Sequence, residues 1–176
     1  MLLSFSVALR EQPWLALNPM PHSLISKPWR AWLLDKGSLT LNLKNLAPQR
    51  FSVRVLNTYF GRASLSEANA LGIPFRQMVY VREVALCIDS NPVVLARSVI
   101  PKSTLTGSEQ QLLFLKNKPL GEYLFKHKNM SRSPIEIKKG QVNGEAVWGR
   151  RSIFRLNNKP LLVSEYFLTS LVKINN

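Results

Sequence analysis

Two charged side chains lie on the apolar faces of segments that alternate like β-strands. Between residues 161 and 168, a period of two places Glu165 on the same face as Leu161, Val163 and Phe167. Between residues 79 and 88, the same period places Arg82 on a face that is otherwise apolar or aromatic. A charged group on such a face is costly unless another group pairs with it. We therefore expect a small buried polar site; the alternatives are a structural ion pair and strands whose other face is buried.

The residues that would support other chemistries are few. The sequence contains no P-loop, no G-x-G-x-x-G, no H-E-x-x-H and no G-x-S-x-G motif. His22 and His127 are far apart and have no metal-ligand spacing, and the single cysteine, Cys87, excludes an internal disulfide. Cys87 lies in the apolar run 84–88, which predicts a buried structural thiol. Two hypotheses stay open: cofactor-free chemistry on an anion through arginine and glutamate, and binding of an anion without chemistry.

The composition is typical of a globular protein with an excess of positive charge. The 176 residues are 45% hydrophobic and 19% charged, which predicts one domain over residues 1–176. The net charge of +14 favours anionic partners. The basic residues are dispersed and lie in no nucleic-acid motif, so we expect no nucleic-acid partner and, at most, steering of a small dianion.

Neither a membrane segment nor a signal peptide is predicted. The longest apolar run has five residues, against about 20 needed to span a membrane. Residues 1–9 have no basic start, their apolar stretch is interrupted by serines, and Arg10 and Glu11 follow. We expect an N-terminal strand or helix there, in a cytoplasmic protein.

The pattern of the remaining residues predicts an α+β fold with a mostly antiparallel sheet. Helices are expected at residues 28–36, at 39–46 with Ser38 as the cap, at 65–71 as a single turn, from a cap at Ser103 or Thr104 to residue 115, and at 119–125. Strands are expected at residues 51–60, 79–88, 93–100, 135–138, 148–156 and 161–168, with hairpin turns at 89–92 and 157–159.

Five stretches between residues 81 and 168 match one known family in order and spacing. They are VREVALC at 81–87, ARSVIP at 96–101, KPLGEYLF at 118–125, WGRRS at 148–152 and KPLLVSEYFL at 159–168. With them, the chain resembles the chorismate lyase family over roughly residues 79–168. The resemblance implies conversion of chorismate to 4-hydroxybenzoate and pyruvate, the first committed step of ubiquinone synthesis, with no metal or other cofactor. It also implies an antiparallel sheet with helical flaps over an internal ligand cavity.

The resemblance also assigns roles to residues of this chain. The family's carboxylate-binding arginine falls on Arg82, its catalytic glutamate on Glu165 and its ligand-binding backbone amide on Leu120. The apolar flap contact, commonly methionine in the family, falls on Leu39, which keeps an apolar side chain of similar size. Arg97 is a candidate for the second carboxylate of chorismate, although alternation does not decide which way it points.

Several further expectations follow from the same interpretation. Arg150 and Arg151 are neighbours on one strand, so at most one of them should face the cavity. A ligand enclosed by flaps should leave slowly, which predicts product inhibition.

We expect a monomer. The main alternative is a non-catalytic, small-anion-binding domain of the same fold, as in the effector domains of some transcription regulators. A basic nucleic-acid-binding protein is the more distant alternative.

Overall fold

The computed structural model of the chain describes residues 13–17, 20, 22–142 and 144–174. The described strands are β1 (Leu15–Ala16), β2 (Phe51–Arg62), β3 (Met78–Ile88), β4 (Asn91–Pro101), β5 (Met130–Arg132), β6 (Glu136–Val142), β7 (Glu145–Leu156) and β8 (Lys159–Phe167). The described helices are α1 (Lys27–Leu34), α2 (Leu39–Leu46), α3 (Leu65–Leu71), α4 (Leu120–Lys126) and α5 (Thr169–Ile174), with 3-10 helices at His22–Leu24 and Gly107–Phe114. The strand or helix expected at residues 1–9 lies outside the described residues.

Within this part of the chain, the strands form one eight-stranded sheet in the order β1-β6-β7-β8-β4-β3-β2, with β5 paired to β7. Every pairing is antiparallel, and the predicted α+β class is confirmed. Two-residue turns join the long hairpins, and their central residues Asp89, Ser90, Asn157 and Asn158 all have positive φ. Such turns match the right-handed twist of the strands they join.

Short polar side chains define where the early helices begin. The Ser38 hydroxyl accepts a hydrogen bond from the Leu41 N–H over 3.3 Å, which caps α2 as predicted. Ser64 and Glu67 form a reciprocal capping box at the start of α3.

The prediction of a helix from a cap at Ser103 or Thr104 to residue 115 is wrong, because the segment forms a shorter 3-10 helix at Gly107–Phe114. The Thr104 hydroxyl donates instead to the Pro160 carbonyl over 2.7 Å, so it fastens the segment to β8 and caps no helix. The sequence pattern also did not predict the short strands β1 and β5 or the helix α5.

Helices cover both faces of the sheet. On one face lie α1, α2, the second 3-10 helix and α4, whose apolar side chains form two core clusters with β3, β4, β7 and β8. On the other face, Ala68 and Leu71 of α3 pack against Val79, Val81 and Leu162. The face covered by several short helices contains the cavity described below. None of the described helices has the length and apolarity to cross a bilayer.

Candidate active site

A cavity lies between the sheet and the helices α2 and α4. The space between its walls is about 540 Å³, including its mouth. The sheet contributes Val53, Arg82, Val84, Leu86, Ala96, Ser98, Arg132, Arg150, Phe154, Val163 and Glu165, and the covering segments contribute Gly37, Leu39, Thr40, Pro119, Leu120, Gly121, Leu124 and Phe125. An apolar cavity with a few charged groups is the usual form of a small-molecule site.

Arg82 supplies a buried cation that no carboxylate neutralises among the described residues. The residue is 3% exposed, and its Nη2 donates to the carbonyls of Lys116 and Lys118 over 2.8 and 3.0 Å. Burial lowers the pKa of Arg82 from its ordinary value. Its remaining N–H groups have no partner in the described part of the chain and are not sealed from open space. They face the cavity, where a planar guanidinium suits a carboxylate.

Glu165 also lines the cavity, two strands away from Arg82 in the sheet, and is held by Arg150. Arg150 and Glu165 are directly opposite on β7 and β8, and Arg150 Nε donates to Glu165 Oε2 over 2.6 Å. Arg150 is 1% exposed, and its Nη1 donates to the carbonyls of Trp32 and Asp35 over 2.6 and 2.8 Å. Arg150 therefore positions Glu165 and fastens the end of α1 to the sheet, while Glu165 Oε1 stays available to a ligand.

Arg132 is a third arginine at the cavity. Its Nε donates to Ser152 Oγ over 3.1 Å and its Nη1 to the Lys36 carbonyl over 3.0 Å. The guanidinium carbon lies 5.0 Å from the centre of the Phe154 ring. Burial and, next, the nearby Arg150 cation lower the pKa of Arg132. The sequence pattern missed this residue because the three-residue strand β5 is too short for alternation to assign a face.

Leu39 and Leu120 stand at the first positions of α2 and α4, and both side chains are buried in the cover of the cavity. Because Leu120 begins its helix, its N–H has no partner within the helix. The two helices touch: a β-carbon built on Gly121 would lie 2.8 Å from Thr40 Oγ1, and Lys44 forms an ion pair with Glu122. The cover is therefore one unit of two interlocked helices.

Arg97 does not line the cavity, which corrects the expectation that it contacts a ligand there. It points to the opposite face of the sheet, where its Nε donates to Glu67 over 2.7 Å and its Nη1 to Glu83 over 2.5 Å. Burial opposes the charge, but the Glu67 carboxylate outweighs it and raises the pKa of Arg97. The structure thus makes Arg97 part of a buried ion-pair cluster.

Arg151 lies on that same outer face, with its Nε donating to Glu136 over 2.6 Å and its Nη1 to Ser66 Oγ over 2.9 Å. Of the neighbouring pair on β7, only Arg150 lines the cavity. The site therefore brings together four of the expected residues, Leu39, Arg82, Leu120 and Glu165, and adds Arg132 and Arg150.

Fold and site together define an α+β protein whose antiparallel sheet and helical cover enclose a mostly apolar cavity with arginine and glutamate side chains in its wall. A family model described as "Chorismate lyase" matches residues 9–174. The chain belongs to the chorismate lyase family. It is 42% identical to a "Probable chorismate pyruvate-lyase" of Marinobacter nauticus over 151 residues, covering 85% of this chain and 80% of that protein. It is 41% identical to a "Chorismate pyruvate-lyase" of Salmonella schwarzengrund over 138 residues, covering 78% of this chain and 80% of that protein.

Solved structures give a more distant likeness. PhnF from Mycobacterium smegmatis superposes with a TM-score of 0.55 at 13% identity, covering 78% of this chain and 66% of that one. At this identity the likeness concerns the fold alone.

Proposed function

We propose that this chain removes pyruvate from chorismate to give 4-hydroxybenzoate, the first committed step of ubiquinone synthesis. The observation that carries the proposal is that one covered cavity contains both Arg82, an arginine without a carboxylate partner, and Glu165, which Arg150 holds. Relatives at about 40% identity are named for this activity. A cavity that keeps a cation without a carboxylate partner suits an anionic ligand, because burying an uncompensated charge is otherwise costly.

In the complex, Arg82 binds the ring carboxylate of chorismate. Its free N–H groups face the cavity, and the Leu120 N–H at the start of α4 supplies a further donor to the same carboxylate. Leu39, on the helical cover of the cavity, contacts the apolar ring. The cost of truncating one partner of such a desolvated charge pair is about 2–5 kcal/mol, so Arg82 carries a large share of the affinity.

Glu165 acts at the other end of the ring. The reaction breaks the C–O bond between the ring and the enolpyruvyl group, removes hydrogen from the adjacent ring carbon that bears the hydroxyl, and protonates the enolpyruvyl methylene to give pyruvate. With Oε2 held by Arg150, Glu165 presents Oε1 to the ring hydroxyl and fixes the reactive orientation. Because the ring becomes aromatic, orientation and stabilisation of charge on the departing group suffice for the chemistry.

Direct conversion tests the proposal. Purified protein is mixed with chorismate in the presence of a chelator, and 4-hydroxybenzoate absorbance and pyruvate are followed together. We expect equal amounts of the two products, and we expect the Arg82→Gln variant to lose both activity and 4-hydroxybenzoate affinity. Arg82→Lys should restore little, since lysine has no planar fork. Tight binding of 4-hydroxybenzoate with no turnover would instead indicate a non-catalytic anion-binding domain.

We further propose that residues 1–176 act as one domain and as a monomer in the cytoplasm, independently of nucleic acid. These proposals come from the composition and from the dispersed basic residues of the sequence. Gel filtration, cell fractionation and a nucleic-acid gel shift at physiological salt test them separately from the activity.

A further inference from the structure

We propose that Arg132 binds the enolpyruvyl carboxylate of chorismate, the carboxylate that the substrate carries and 4-hydroxybenzoate lacks. This inference rests on the proposed function. Chorismate brings two carboxylates into the cavity, and three arginines line it in the described part of the chain: Arg82, Arg132 and Arg150. The question is which arginine meets the second carboxylate.

Arg150 is already engaged. It donates to Glu165 Oε2 and to two carbonyls, those of Trp32 and Asp35, and its charge is compensated by the Glu165 carboxylate. Its Nη2 has no hydrogen-bond partner among the described residues, but Glu165 already compensates its charge, so a substrate carboxylate there would bring two anions to one cation. Arg82 lies on β3, two strands away from Glu165 on β8, and is assigned to the ring carboxylate. Arg132 is the remaining cation.

Arg132 is held ready for an anion. Its hydrogen bonds go to a hydroxyl and a carbonyl, those of Ser152 and Lys36, so within the described residues no carboxylate pairs with it. Its Nη2 has no hydrogen-bond partner there and is not sealed from open space. The Phe154 ring lies at 5.0 Å from the guanidinium and restricts its plane. An arginine fixed on one edge and unpaired on the other is preorganised for a carboxylate.

Arg132 also stands at the correct end of the cavity. It bonds Ser152, whose register partner on β8 is Val163, two residues from Glu165 on the same face. In chorismate, the ether carbon is next to the carbon bearing the hydroxyl, and both are remote from the ring carboxylate. A substrate that places its hydroxyl at Glu165 and its ring carboxylate at Arg82 therefore directs the enolpyruvyl group toward the Arg132 end.

This position gives Arg132 a contact that changes during the reaction. When the C–O bond breaks, negative charge moves onto the departing enolpyruvyl group, and Arg132 stabilises it. Once pyruvate has left, 4-hydroxybenzoate has no group to contact Arg132. Arg132 thus separates substrate affinity from product affinity, whereas Arg82 contributes to both.

The test compares chorismate and 4-hydroxybenzoate on the same variants. For Arg132→Gln we expect kcat/KM for chorismate to fall about 30-fold or more. The inhibition constant of pyruvate should rise by a similar factor. This is the lower end of the effect expected for loss of a charged partner. The Kd of 4-hydroxybenzoate should stay within about threefold of the parent. Arg132→Lys should recover part of the loss. Arg155→Gln, which removes an exposed arginine from the neighbouring strand β7, controls for net charge and should change neither ligand.

Equal weakening of both ligands by Arg132→Gln would assign Arg132 a structural role in holding Lys36 and overturn the proposal, as would unchanged chorismate kinetics. Failure of the parent protein to turn over chorismate would overturn the proposed activity instead. In that case, calorimetric Kd values for chorismate and 4-hydroxybenzoate on parent and Arg132→Gln still decide the role of Arg132 in binding.

Discussion

Nε of Arg150 lies 2.6 Å from Oε2 of Glu165, and the two residues are directly opposite each other on β7 and β8. One position further along β7, Nε of Arg151 lies 2.6 Å from Oε2 of Glu136, on the other face of the sheet. Two arginine–glutamate ion pairs with the same Nε–Oε2 distance therefore occupy adjacent positions along β7. Only the first lines the cavity, so the second serves as its control.

Glu165→Gln should keep the fold but lower kcat by about 100-fold or more, the scale for disturbing a group that holds the substrate in its reactive orientation. The amide keeps the size and an acceptor oxygen, so the Kd of 4-hydroxybenzoate should change by less than about tenfold. Glu136→Gln should leave kcat unchanged. Steady-state kinetics and product titration on both variants measure this. Turnover of chorismate by Glu165→Gln at the parent rate would remove the catalytic role of Glu165.

Arg97→Met should destabilise the protein without weakening product binding. Arg97 compensates Glu67 and Glu83, whose side chains are 12% and 9% exposed. Removing the shared cation leaves both carboxylates buried, which costs about 3–5 kcal/mol of unfolding free energy. Urea denaturation measures the loss, with the exposed Arg54→Met as control. A variant of parent stability that binds 4-hydroxybenzoate tenfold more weakly would return Arg97 to the site.

Arg82 and Glu165 could be predicted from the sequence because a strand's period of two fixes which face each residue shares. The lining of the cavity confirms both faces. The same rule could not place Arg97, since both faces of β4 are apolar and buried. The Glu67 and Glu83 carboxylates determine its direction, and Glu67 comes from a helix whose position depends on tertiary structure.

Arg132 shows a second limit of the sequence pattern. The three-residue strand β5 has no alternation of its own, and pairing with β7 alone gives Arg132 its direction. The segment after β4 shows a third limit. Thr104 is a good helix cap by residue type, but its hydroxyl bonds the Pro160 carbonyl 56 positions away, and a 3-10 helix forms later in the chain.

Glu109→Gln should reduce stability at neutral pH but not in strong acid. Burial alone would raise the pKa of Glu109, but Lys159 at 2.6 Å and Asn157 at 2.9 Å donate to its carboxylate and hold the pKa at about 2, against an ordinary 4.5. Because the folded pKa is the lower one, the stabilisation is complete above about pH 4.5 and disappears as the pH falls toward about 2.

The full shift corresponds to about 3 kcal/mol at pH 7. Urea denaturation of parent and Glu109→Gln at pH 7 and pH 3 should give a difference in unfolding free energy that shrinks at the lower pH. Glu122→Gln, at a more exposed ion pair, should show a small difference at both. A Glu109→Gln effect independent of pH would show that the carboxylate charge contributes nothing.

Gly121→Ala should loosen the cover of the cavity. The added methyl would lie 2.8 Å from Thr40 Oγ1, so α4 must move away from α2. We expect a 4-hydroxybenzoate Kd raised by about tenfold and a faster dissociation rate. Adding Thr40→Ala removes the close atom and leaves nearest contacts of 3.5 Å, so the double variant should recover affinity. Weaker binding that Thr40→Ala does not restore would place the effect elsewhere.

Product release should limit turnover, because 4-hydroxybenzoate bound in the proposed site would lie beneath two interlocked helices and could not leave until one of them opens. A pre-steady-state time course of the parent should show a burst of about one product per enzyme, followed by a slower linear phase. Product should inhibit at concentrations near or below KM. Linear product formation from the first turnover, together with weak inhibition, would make chemistry the slow step.

Leu39→Ala should separate release from chemistry. Leu39 is 5% exposed and contacts the cavity from the flap, so its truncation removes apolar contact with the bound ring and with the core. We expect weaker product inhibition, a smaller burst and a steady-state rate equal to or above that of the parent, since opening becomes easier while Arg82 and Glu165 are untouched. Leu41→Ala, on the exposed side of the same helix, should keep the parent burst. If Leu39→Ala lowered the burst rate constant itself, Leu39 would act in orienting the substrate for bond cleavage, and the flap would not control release through this residue.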